Sequence, residues 1–95
     1  MIHTTTVSPP LSPAEVLQRA EQFFAERVPH AAAFVEKRGP NFVTLRGQGG
    51  EEVAISAWAD SAGGVTRVRA STLFFDQALD RFLSTLPLAS AVEVA

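Results

Sequence analysis

Two hydrophobic periods divide the chain. Over residues 13–27, Val16, Leu17, Ala20, Phe23, Phe24 and Arg27 recur at helical spacing. Glu15, Gln18, Arg19, Glu21, Gln22 and Glu26 take the opposite side. A second helical stripe covers about 74–86, with Phe75, Ala78, Leu79, Phe82, Leu83 and Leu86 on one face. Between the stripes lie four short, partly alternating runs bounded by turn residues: 32–38 "AAFVEKR", 42–46 "FVTLR", 52–58 "EVAISAW" and 65–71 "VTRVRAS". The order predicted is α-β-β-β-β-α: an α+β, two-layer domain with a four-stranded antiparallel meander and both helices on one face.

Local signals set the ends. Ser12-Pro13-Ala14-Glu15 puts Ser at the N-cap, Pro at the first helical position and Glu two residues later, where Ser and Glu satisfy each other's backbone N–H groups. Pro29 disfavours helix at Val28, so the first helix ends near Arg27. Pro87 stops the second. Pro9 and Pro10 forbid a regular element around them, so residues 1–11 are expected to be a flexible arm, and the β-branched "IHTTTV" within it could add to a sheet edge. Residues 12–87 form the domain and 88–95 an irregular tail. In element order this layout resembles half of a helix-grip domain.

"GQGG" at 47–50 poses the sharpest chemical question, because glycine-rich loops cradle phosphates. A phosphate loop needs strand, glycines, then a helix N-terminus. Here Glu51, Glu52 and an alternating strand follow, and the two carboxylates would repel an anion. The stretch is therefore read as a hairpin turn. A three-residue loop, Gln48-Gly49-Gly50, places Leu45 opposite Val53 and Arg46 opposite Glu52, and it calls for a glycine with positive φ. The same reasoning pairs Val35 with Val43, and Ile55 with Val68 around a 59–64 loop. It turns Val35, Val43, Leu45, Val53, Ile55, Ala57, Val68 and Ala70 inward.

The opposite face then carries Phe34, Glu36 and Arg38, Phe42, Thr44 and Arg46, Glu52, Ala54, Ser56 and Trp58, and Val65, Arg67 and Arg69. A solvated face would be polar. Aromatic and arginine side chains among small residues are what protein interfaces enrich. Phe34, Glu36, Phe42, Trp58, Arg67 and Arg69 are the candidate interface, with Glu36 and Arg67 placed in one row as a cross-strand ion pair.

Composition narrows the rest. Ninety-five residues with net charge −2 make one domain and argue against nucleic acid, which needs a basic field. With no cysteine, disulfides, thiolate catalysis and cysteine-held zinc are excluded. No apolar run approaches the ~20 residues of a membrane helix, and the N-terminus lacks the basic-then-apolar order of a secretory signal. A cytoplasmic setting is expected. His3 and His30 have no second ligand at metal spacing. Asp76 and Asp80, one turn apart, suit the helix dipole better than acid–base work. No catalytic, metal or cofactor residue is assigned. The expectation is a small non-enzymatic binding or assembly module acting as a homodimer through the helix-free face. The alternative is a small-ligand-binding, even ligand-converting, domain with an apolar pocket between helices and sheet.

Overall fold

A computed structural model describes residues 2–7, 11–26, 33–47, 49–60, 65–73, 75–86 and 93–94. Eight elements follow in the order β1 (Ile2–Val7), α1 (Pro13–Glu26), β2 (Ala33–Arg38), β3 (Phe42–Gly47), β4 (Glu52–Asp60), β5 (Val65–Thr72), α2 (Asp76–Ser84) and β6 (Glu93–Val94). The strands form one antiparallel sheet in the order β2-β3-β4-β5-β1-β6, with β6 only two residues long.

The α+β class and the two helices agree with the sequence reading, but the sheet is larger than the expected four-stranded meander. The segment expected as a free arm forms β1, which pairs along β5 from Ile2↔Ser71 to Val7↔Thr66. Its β-branched residues suit a strand. His3, Thr5 and Val7 are buried while Ile2, Thr4 and Thr6 are half-buried, so one side of the strand closes the core beside β5. Leu11, also placed in the arm, is buried, and its carbonyl accepts a 2.9 Å hydrogen bond from Thr66 Oγ1. In the tail expected to be irregular, Glu93 and Val94 pair with Thr4 and His3. The end of the first helix, His30, Gln48 and residues 88–92 of the tail lie outside the described residues.

Both helix starts rest on short hydroxyl contacts. The Ser12 N–H donates to Glu15 Oε1 at 3.1 Å and the Glu15 N–H to Ser12 Oγ at 3.2 Å, the reciprocal cap that the sequence predicts. The Ser12 N–H bond is the main reason the Glu15 carboxyl lies below its ordinary range. At α2 the Phe75 N–H donates to Thr72 Oγ1 at 3.2 Å, and that hydroxyl donates to the Glu52 carbonyl at 3.0 Å. One threonine thereby ties the end of β5 to β4 and to the helix it precedes.

The core lies between the helices and one sheet face. Val16, Leu17, Ala20, Phe23 and Phe24 of α1 meet Val43, Leu45, Val53, Ile55 and Ala57 of the central strands, with Leu79, Phe82 and Leu83 from α2. Phe24 is central: its ring centroid is 5.4 Å from that of Phe23 and 6.2 Å from those of both Phe75 and Phe82.

The β3–β4 hairpin has the expected register, Leu45↔Val53 and Arg46↔Glu52. The Gly47 carbonyl accepts the Gly50 N–H at 3.1 Å, and Gly50 takes φ +88°, which makes the stretch a turn followed by a left-handed residue. The β4–β5 register differs. Ile55 faces Ala70, and Ala57 faces Val68, because Asp60 still pairs with Val65 and the loop is two residues shorter than expected. A shift of two leaves every side chain on its expected face, so Val68 and Ala70 remain buried.

The β2–β3 pairing departs further. The Gly39 N–H donates to the Phe42 carbonyl at 2.9 Å, so Pro40-Asn41 is a two-residue turn and Arg38 faces Val43. A bulge between Val35 and Lys37 absorbs the difference, and Val35 pairs with Leu45, not with Val43. Val35 lies on the edge strand and is 37% exposed, so it is not the core residue expected. Arg38, expected on the open face, reaches Glu21 of α1, with Nε donating to Oε2 at 3.1 Å.

Candidate functional site: the helix-free sheet face

Outward residues of β1 to β5 line up in rows set by the register. Phe34, Arg46 and Glu52 make one row. Lys37, Thr44, Ala54, Ser71 and Ile2 make the next. Phe42, Ser56, Arg69 and Thr4 follow, then Trp58, Arg67 and Thr6. The three aromatics therefore run diagonally, from the β2 edge at one end to β4 at the other. Phe34 is 56% exposed, Phe42 38% and Trp58 39%.

Each aromatic has its own surroundings. Phe42 lies over Gly39 so closely that a β-carbon there would sit 2.6 Å from the ring's Cδ1. The missing side chain of Gly39 is what lets the ring settle across the turn. Trp58 stands opposite Arg67 on β5, and Ser56 opposite Arg69. Phe34 stands opposite Arg46 on the edge strand, the most exposed of the three.

Arg46 is the hub of the polar end. Its Nη2 donates to Glu36 Oε1 and to Glu52 Oε2, each at 3.0 Å, its Nε to the other Glu36 oxygen, and its Nη1 to the Gly50 carbonyl at 2.8 Å. One guanidinium thus joins the β2 bulge, the hairpin turn and β4. Its hydrogen bonds hold the Glu36 carboxyl below the usual range. The expected Glu36–Arg67 pair is therefore not formed. The bulge swings Glu36 toward Arg46, and Arg67 lies rows away beside Trp58.

Of the six candidate residues, Phe34, Phe42, Trp58, Arg67 and Arg69 share one exposed face, and Glu36 borders it through Arg46. Sequence reasoning missed the part added by β1. Thr4 and Thr6 extend the face beside Arg69 and Arg67, and the β-branched run Thr4-Thr5-Thr6-Val7 was the signal that pointed to a strand there. Leu73, just after β5, is 79% exposed and carried no periodic signal.

Beneath the sheet, the space expected as a ligand pocket is occupied by the rings of Phe23, Phe24, Phe75 and Phe82. Two open clefts lie elsewhere. One of about 290 Å³ is lined by Arg19, Gln22, Phe23, Phe82 and Thr85, between α1 and α2. Another of about 390 Å³ lies by the hairpin turn, where Glu51, Glu52, Ser71 and Leu73 meet. Among the described residues, no group of three or more His, Asp or Glu side chains could hold a metal ion, and no helix is long and apolar enough to cross a membrane. Comparison with protein-family models, curated proteins and solved structures found no match.

Proposed function

We propose that the protein is a small binding and assembly module that forms a homodimer through the helix-free face of its sheet. The observation that carries this reading is the exposed diagonal of Phe34, Phe42 and Trp58, flanked by Arg67 and Arg69, on a face that no helix among the described residues covers. A two-fold contact uses the same patch on both subunits, so a self-complementary diagonal suits it. Arginine and aromatic side chains supply anchors that bury apolar area while keeping polar groups bonded. Glu36 does not reach across the contact in this reading. Its carboxylate belongs to Arg46, and the Glu36–Arg46–Glu52 cluster frames the patch as a polar rim.

The edge strand favours the face over sheet extension. β2 ends in Glu36, Lys37 and Arg38 and carries a bulge, all of which blunt edge-to-edge pairing. Light scattering across a dilution series, read together with the fluorescence of the single tryptophan, tests the reading. Trp58 emission should move red as the dimer dissociates. Truncating a buried anchor costs at least ~2 kcal/mol of binding, so Trp58→Ala should raise the dimer dissociation constant about thirtyfold or more. A monomer at high micromolar concentration, with solvated-indole emission throughout, would remove the proposal.

A further inference from the structure

We infer that the two copies meet with their two-fold axis along β4, so that Arg69 of each protomer lies on the partner's Phe42 ring. This arrangement presupposes the homodimer through the helix-free face and specifies how the two copies meet.

Symmetry leaves few choices. A two-fold axis that lays a surface on its own copy lies in the plane of contact. Sheets pack with their strands either aligned or nearly at right angles. The right-angled class is joined at corners by strands that pass from one sheet to the other, which separate chains lack. Aligned packing leaves an axis that runs across the strands or along them.

Charge rejects the first. An axis across the strands lays every strand on its own copy, whichever row it crosses. Arg67 and Arg69 both point outward from β5, so β5 on β5 would line up four guanidinium groups in one strip. Like charges set against each other across a contact oppose it.

Overlap places the second. An axis along the strands reverses their order. Of the five long strands β2-β3-β4-β5-β1, β4 is the middle one, and an axis over it puts all five under strands of the partner. β3 then lies on the partner's β5. Position along the strands is unchanged, so each row meets its own copy in reverse order. In the row Phe42, Ser56, Arg69, the Phe42 ring meets the partner's Arg69 and Ser56 meets the partner's Ser56. The ring, braced over Gly39, is 38% exposed and keeps a surface for the partner. A guanidinium is attracted to the negative face of such a ring, and the two-fold makes the pair twice.

The side chains of β4 suit this axis. Each residue beneath it meets itself, so bulk there would hold the sheets apart. Ala54 and Ser56, the two middle outward residues of β4, are small and half-buried, with Phe42 and Arg69 on either side of Ser56. Trp58, at the far end of β4, meets its own copy, and that contact buries the indole.

Isotope-filtered NOE spectra of a dimer mixed from labelled and unlabelled full chains test the arrangement. Cross-peaks are expected between the Phe42 ring and the partner's Arg69 side chain, and between the Ala54 methyl groups of the two protomers. Arg69→Gln should raise the dimer dissociation constant at least about fivefold, because the pair is lost twice. With Phe42→Leu already in place, the same change should move it by less than about twofold. Cross-peaks from Arg69 to the partner's Arg69, or a dimer tightened by Arg69→Gln, would put the axis across the strands and overturn the assignment. An equal effect of Arg69→Gln with and without the Phe42 ring would overturn the pairing. A monomer at every concentration would remove the dimer itself, and light scattering separates that outcome from a dimer that lacks these contacts.

Discussion

The two faces of the sheet share strands and register yet obey different rules. On the helix side Val43, Leu45, Val53 and Ile55 are completely buried. One residue along each strand, Phe42, Thr44, Ala54 and Ser56 are exposed or half-buried. The difference comes from what lies above each face. Two amphipathic helices close one side with a cluster of phenylalanine rings, and nothing in the chain's described residues closes the other. The covered face is specified by packing, where a lost ring leaves a cavity. The open face is specified by register alone, and its aromatics have freedom to serve a partner.

Two substitutions press on that contrast most directly. Phe24→Ala should cost about 3–5 kcal/mol in chemical denaturation, because Phe24 touches three other rings and has no exposed surface. Phe34→Ala, at the open end of the diagonal, should change the stability of the monomer by less than about 0.5 kcal/mol. Comparable losses from the two would erase the distinction between the faces.

The hairpin comes next, because its turn sorts residues between the faces. Gly50→Ala should destabilise by about 1–2 kcal/mol through its positive φ alone, since a β-carbon there meets no atom within 4 Å. An unchanged midpoint would mean that the turn does not hold the register. Thermal shift with ATP or GTP should be flat.

The smallest effect concerns the cap of the helix that covers the closed face. Ser12→Ala should cost about 1 kcal/mol. It also carries a pH signature. Glu15 and Glu36 both have folded-state values below the ordinary 4.5. Their contribution is complete above the unfolded value and is lost as pH falls through the lower folded values, so melting should decline below about pH 4.5. In Ser12→Ala the backbone N–H at position 12 remains while the hydroxyl contact is lost, so the Glu15 share of that decline should shrink without vanishing. A decline identical to that of the parent chain would place the acid sensitivity elsewhere.

What the sequence made legible follows the range of each signal. The Ser12–Glu15 cap, both helical stripes and the Gly49-Gly50 turn are each written within a few neighbouring residues, and all three stand in the structure. The pairing of β4 with β5 depends on how far each strand runs before the loop, which side-chain alternation leaves open by steps of two. The bulge at Glu36 was hidden because Pro40-Asn41 forms a tighter turn than Arg38-Gly39-Pro40 would, and the extra residue appears several positions away. β1 was hidden by Pro9-Pro10, which ends a strand as readily as it marks a loose arm. For the candidate site, the aromatics and arginines were readable from alternation, whereas Arg46 as a three-way hub needed the bulge to bring Glu36 to it.

The pairing of β1 with β5 also sets an order of events during synthesis. β1 leaves the ribosome roughly sixty residues before the strand it must pair with, and pairing over such a separation is slow. Through that interval the β-branched segment has no partner in its own chain, and β5, once made, has an open edge until β1 arrives. Arg67 and Arg69 sit on that edge with their charges pointing outward. Charged residues within a hydrophobic strand discourage pairing between molecules that are still incomplete. The two arginines that flank Trp58 on the finished face can therefore act earlier as guards of the nascent sheet, keeping the edge of β5 for β1.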